Sequence, residues 1–158
     1  RDEAARFLRR VEQGEEVAPP RRRPAAEGGN PLEGARVLVV DDDARNIFAL
    51  ASVLESHGVE LIYAESGREG IRMLEASPEI DLVLMDIMMP DMDGYETMRA
   101  IREVPAFNRL PIVALTAKAM PGDREKCLEA GASDYITKPV DNERLLEVLR
   151  AWLGYTVA

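Results

Sequence analysis

Val37-Leu38-Val39-Val40-Asp41-Asp42-Asp43 is an unbroken apolar run that stops at acid. Three more runs stop in the same abrupt way. Leu82-Val83-Leu84-Met85 ends at Asp86, Ile112-Val113-Ala114-Leu115 at Thr116, and Tyr135-Ile136-Thr137 at Lys138-Pro139. A strand with one wet face alternates apolar and polar residues, whereas a run that is apolar throughout needs cover on both faces. That is the state of a strand in a parallel sheet with helices on either side. Ligands of such sheets lie in the crevice outside the carboxyl ends of the strands. The spacing therefore predicts that carboxylates, a hydroxyl and an ammonium group converge at one edge. This set suits one hard cation and one phosphoryl group.

Outward from these runs the pattern alternates strand and helix. Strand Arg36–Val40 leads to a helix over Ala44–His57, with Ile47, Leu50, Ala51 and Leu54 at helical spacing and Gly58 as its stop. Glu60–Ala64 reads as a strand, and Ser66 caps a helix running to about Ala76. Leu82–Asp86 is the third strand, followed by a Pro/Asp/Gly loop and a helix from Gly94 to about Glu103. Pro111–Thr116 is a strand, Pro121–Ala130 a helix closed by Gly131, and Asp134–Thr137 the fifth strand. The last helix, Asn142–Leu153, buries Leu145, Leu149 and Trp152. Five strands alternating with five helices predict an α/β, doubly wound, five-stranded parallel sheet, and a flavodoxin-like order 2-1-3-4-5 brings the first and third strands together.

Residues 1–33 differ from the rest. Ala4 to Val11 can form a short helix with Phe7, Leu8 and Val11 as its stripe, and a Pro/Gly/Arg/Ala-rich stretch follows. This region reads as a largely flexible linker and residues 34–158 as the folded domain. The linker's acidic and basic residues cancel, so the net charge of -9 lies wholly in the domain. That balance argues against nucleic acid as a partner, and Arg21-Arg22-Arg23 reads as a solvated charge run. No apolar stretch approaches the roughly 20 residues of a membrane span, so no membrane contact is expected. One cysteine and no signal peptide point to the cytoplasm. The start at Arg1 suggests a piece of a longer chain.

Asp41, Asp42 and Asp86 would repel one another unless a cation lay between them, and Mg²⁺ binds through one or two carboxylates while keeping other oxygen ligands. Asp43, directly before Ala44, reads instead as a helix cap. Lys138 faces the acids with a fixed positive charge, Thr116 offers a hydroxyl to a phosphoryl oxygen, and Lys138-Pro139 is a candidate cis bond. His57 reads as a helix-dipole partner and Cys127 as a small hydrophobe. Met85, Met88 and Met89 read as core and pocket wall.

These motifs resemble those of two-component response-regulator receiver domains. The resemblance rests on Val37–Asp42, Asp81–Gly94, Pro111–Ala117 and Gly131–Pro139, and it covers about residues 35 to 153. It implies that Asp86 is the phosphoacceptor, which attacks a phosphohistidine and becomes an acyl phosphate. It further implies that Asp42 is the main acidic Mg²⁺ ligand, supported by Asp41 and completed by the backbone carbonyl of Met88. Thr116 and Tyr135 would form the switch pair, and Lys138 would contact the phosphoryl group. Asp43–Leu50 and Ala114–Met120 are similar to receivers fused to sensor histidine kinases, as in the carboxyl-terminal receiver of a hybrid kinase. The implied partner is a histidine kinase or a histidine phosphotransfer domain. Catalysis by the domain itself would extend only to its own phosphorylation and dephosphorylation. Two rival readings are a degenerate receiver acting as a binding module and an aspartyl phosphohydrolase of the haloacid-dehalogenase type. The second is weakened by Arg45, which stands where that class has Thr or Val.

Overall fold

The first strand is buried along nearly its whole length because successive side chains enter two different cores. The computed structural model describes residues 32–117 and 122–155. Its strands are β1 (Arg36–Val40), β2 (Glu60–Ala64), β3 (Leu82–Asp86), β4 (Ile112–Thr116) and β5 (Asp134–Thr137). Among the described residues the helices are α1 (Ala44–Glu55), α2 (Gly67–Ala76), α3 (Gly94–Arg102), α4 (Asp123–Ala130) and α5 (Asn142–Tyr155). One 3-10 turn, Pro105–Phe107, precedes β4. The sheet is wholly parallel in the order β2-β1-β3-β4-β5, as the alternation predicts.

Val37 and Val39 pack with Leu84, Val113, Ile136 and the inner faces of α1 and α5. Leu38 and Val40 point the other way, toward Met85, Ala114, Met98 and Ile101 under α2, α3 and α4. This is the two-residue alternation of a strand with both sides dry. Leu32 joins the first core and is fully buried, so the packed body takes in residues ahead of the expected start at 34. Residues 1–31, with the expected helix at Ala4–Val11, most of the linker and the Arg21–Arg23 triplet, lie outside the described residues, as do residues 118–121.

Side chains set most of the helix starts. Asp43 Oδ1 accepts from Arg45 N at 2.9 Å and Ser66 Oγ from Glu69 N at 3.1 Å. Asp93 and Glu96 form a reciprocal capping box at 2.9 and 3.1 Å. Several ends differ from expectation. Helix α1 stops at Glu55 rather than His57, and the hydroxyl of Ser56 donates to the Val53 carbonyl at 2.7 Å. Helix α4 begins at Asp123 because Gly122 takes a left-handed φ of 96° that no helix residue adopts. Helix α5 runs on to Tyr155, and Trp152 is only half-buried, its indole N–H donating to Asp134 Oδ2 at 3.1 Å.

Candidate functional site

Register alone carries the functional side chains to one edge. Val40 lies opposite Met85 across β1 and β3, so Asp41 comes next to Asp86 at the carboxyl ends. Leu115 lies opposite Asp86 and Thr137 opposite Thr116, which places Thr116 and then Lys138 beside the same edge. The backbone N–H of Lys138 donates to the Thr116 carbonyl at 2.7 Å, and the Lys138-Pro139 peptide is cis. The start of α3 closes in behind the site. A β-carbon on Gly94 would lie 2.5 Å from the Asp86 carbonyl oxygen and 2.7 Å from Ile87 Cα. Only glycine lets helix and strand approach so closely.

Carboxylate oxygens of Asp41, Asp42 and Asp86 lie within 4.8 Å of one another. Asp41 and Asp86 are buried, whereas Asp42 faces solvent. Lys138 Nζ reaches Asp86 Oδ1 at 2.6 Å. Asp86 is 2 % exposed, so the acidic side of this ion pair is deeply buried. Burial pushes the Asp86 carboxyl above the ordinary carboxylate range, and the ammonium of Lys138 and the Met88 N–H pull it back. Burial raises Asp41 as well. The N–H of Asp43 opposes this, and repulsion from Asp86 adds to it. Three carboxylates against one ammonium leave surplus negative charge in a partly dry edge, so the donor set is suited to a divalent cation.

Asp41, Asp42, Asp86, Thr116 and Lys138 all arrive at the edge that their strand ends predicted. Asp43 caps α1, as expected. Met88 departs in part from its reading. Met85 and Met89 are buried, but the Met88 side chain is 64 % exposed, so it can line the site's mouth and does not belong to the core. Tyr135 lies two residues before Thr137 and packs, half-buried, against the core under α2–α4. Cys127 is a buried hydrophobe, and His57 Nδ1 lies 3.0 Å from the Val53 carbonyl near the end of α1.

Two features carried no recognised signal in the sequence. Asn46 Nδ2 donates to Asp41 Oδ2 at 3.4 Å. Beside this contact lies a cavity of about 180 Å³, lined by polar Asp41, Asn46 and Lys138 and by apolar Leu50, Leu115 and Pro139.

Comparison with known proteins gives one consistent family. The model of the response regulator receiver domain matches residues 37–150. Sensor histidine kinase GacS of Pseudomonas protegens is 36% identical over 141 residues, covering 87% of this chain. The chain spans only 15% of the length of that relative. Protein PilH of Pseudomonas aeruginosa is 37% identical over 120 residues, covering 76% of this chain and 98% of that protein. Among solved structures, the receiver domain of sensor histidine kinase PA1611 from Pseudomonas aeruginosa superimposes with a TM-score of 0.71 at 38% identity. The match covers 77% of this chain and 98% of that one, which carries a magnesium ion in its active-site cleft.

Proposed function

Since this chain belongs to the response-regulator receiver family and is a phosphoryl-accepting switch of two-component signalling, we propose that Asp86 is the acceptor and that a phosphohistidine is its donor. The observation that carries the assignment is the Lys138 Nζ–Asp86 Oδ1 pair at 2.6 Å, set in a buried acidic edge. Of the three clustered carboxylates, Asp86 is the buried one that the Lys138 ammonium contacts directly.

An Asp86 oxygen attacks phosphorus, the P–N bond breaks, and its electron pair returns to the donor imidazole. Lys138 offsets negative charge on the transferring oxygens from a fixed position, and burial of the edge strengthens that effect. The Met88 N–H holds the Asp86 carboxylate in place. Asp42 and Asp86, with the Met88 carbonyl and with Asp41 in support, are the residues we assign to hold Mg²⁺, whose bound charge would neutralise the phosphoryl oxygens. Thr116, 4 % exposed at the adjacent strand end, in this reading donates its hydroxyl to the new phosphoryl group. In this reading Tyr135, on the neighbouring strand, turns inward as Thr116 moves, and the two form the switch pair. The GacS match supports a hybrid sensor kinase as parent chain, with a histidine kinase or histidine phosphotransfer domain as partner in the cytoplasm.

The test is phosphorylation of the chain by acetyl phosphate or by a phosphorylated histidine domain, followed by borohydride trapping. A modified residue at Asp86, absent from Asp86→Asn, is expected. Undiminished labelling of Asp86→Asn at another Asp, or no labelling of the native chain, would refute the assignment.

A further inference from the structure

Asp41 poses a problem that the acceptor chemistry does not solve. Its carboxylate is fully buried next to Asp86, yet it serves the site only if it points toward Asp42 and Asp86. One oxygen, Oδ1, is held by the Asp43 N–H at 2.9 Å, a bond internal to the acidic turn. The other, Oδ2, is held from outside the turn by Asn46 Nδ2.

Asn46 has no evident structural duty of its own. The cap of α1 is Asp43, so the carboxamide is not needed to start the helix. Asn is a poor helix former because its side chain competes for backbone hydrogen bonds. The neighbouring cavity gives the side chain room to turn away from the acid. It nevertheless donates to Asp41. At 3.4 Å the contact is long, so it acts as a restraint on direction and not as a tight clamp.

We infer that Asn46 is a positioning residue of the cation site: its carboxamide, reaching down from the first turn of α1, fixes the Asp41 carboxylate in the orientation that lets Asp41, Asp42 and Asp86 act on one divalent ion. The inference rests on the metal reading given above and adds a residue from outside the acidic cluster. Partners in an outer shell of this kind orient ligands and sharpen metal affinity.

The experiment compares the native chain with Asn46→Leu, which keeps the branched shape, removes the hydrogen-bonding groups and improves helix propensity, and with Asn46→Gln, which keeps the carboxamide. Mg²⁺ affinity is measured by NMR titration, metal-free stability by thermal unfolding in EDTA, and phosphorylation by acetyl phosphate across Mg²⁺ concentrations. Asn46→Leu should weaken Mg²⁺ binding about tenfold. Its metal-free Tm should be unchanged or higher, and its phosphorylation rate should recover at saturating Mg²⁺. Asn46→Gln should restore most of the affinity. Native affinity in Asn46→Leu overturns the inference and leaves the cation site standing. So does a loss of affinity that tracks a loss of metal-free stability and is not rescued by Gln. Failure of the native chain to bind Mg²⁺ overturns the cation site and this inference together.

Discussion

Lys138 and Asp86 show how much one side chain does at this edge. The ammonium satisfies a carboxylate that is otherwise buried among like charges, and it stands where the transferred phosphoryl oxygens must come. Lys138→Met should therefore slow phosphorylation by acetyl phosphate on the order of 100-fold, the scale of losing one fixed electrostatic partner. Labelling at Asp86 should persist in that variant, and a native rate would remove Lys138 from the chemistry. Met88 acts at the other end of the reaction. Its exposed thioether stands two residues past the acceptor and cannot orient water. Met88→Asn should hasten loss of phosphate at fixed Mg²⁺ by several-fold. Time courses of phosphate release test this, and an unchanged or slower rate would place control of water access elsewhere. The acids and Thr116 were legible because they follow fully apolar runs, and Lys138 because it follows the short fifth strand; strand ends of a parallel sheet share an edge. Asn46 was not, because its contact with Asp41 depends on how α1 is rotated about its axis, which no local pattern records.

Elements were legible where a side chain or a run defines them. Ser66 and Asp43 announced helix starts, and β1, β3 and β4 announced themselves by unbroken apolar runs. Helix α4 was harder to bound: of its residues only Cys127 and Ala130 are buried, so periodicity is faint and Gly122 sets its start by backbone conformation. The ends of α1 and α5 shifted by two residues because terminal turns depend on local hydrogen bonds more than on pattern. The contact between α3 and β3 gives a sharp test at this scale. Gly94→Ala places a methyl group against the Asp86 carbonyl and the Ile87 backbone, neither of which can give way like a side-chain tip. It should cost about 1–3 kcal/mol in urea unfolding and slow phosphorylation by shifting Asp86. Unaltered stability would mean that α3 can slide away from the strand at little cost.

At the scale of the whole molecule the acidic edge sets stability against function. Folding raises the pKa of Asp41 and Asp86 above the ordinary 3.8, chiefly by burial, so over the window above that value the folded chain holds more protons than the unfolded one. Unfolding then becomes easier as pH rises through the window, and the two ionised acids are a standing cost near neutrality. Asp43 works in the opposite sense, its pKa lowered mainly by Arg45, so its contribution is lost as pH falls. Because Asp43 is exposed, the comparison is best made as a difference between variants. In EDTA, the Tm of Asp41→Asn relative to the native chain should rise between about pH 4 and pH 7, since the amide cannot ionise. A cation bound only by the folded edge should cancel the cost. At 100 times its Kd, Mg²⁺ should stabilise the native chain by about 2.7 kcal/mol, on the order of 5–10 °C in Tm. Trp152 can report the unfolding without reporting the binding. It bonds Asp134 at the start of β5, whereas Lys138 follows the far end of that strand, about 13 Å away at the rise of an extended chain. Its fluorescence should therefore stay flat through a Mg²⁺ titration and change cooperatively on heating. A native Tm indifferent to Mg²⁺, or a pH trend identical in Asp41→Asn, would show that the acids do not store this cost.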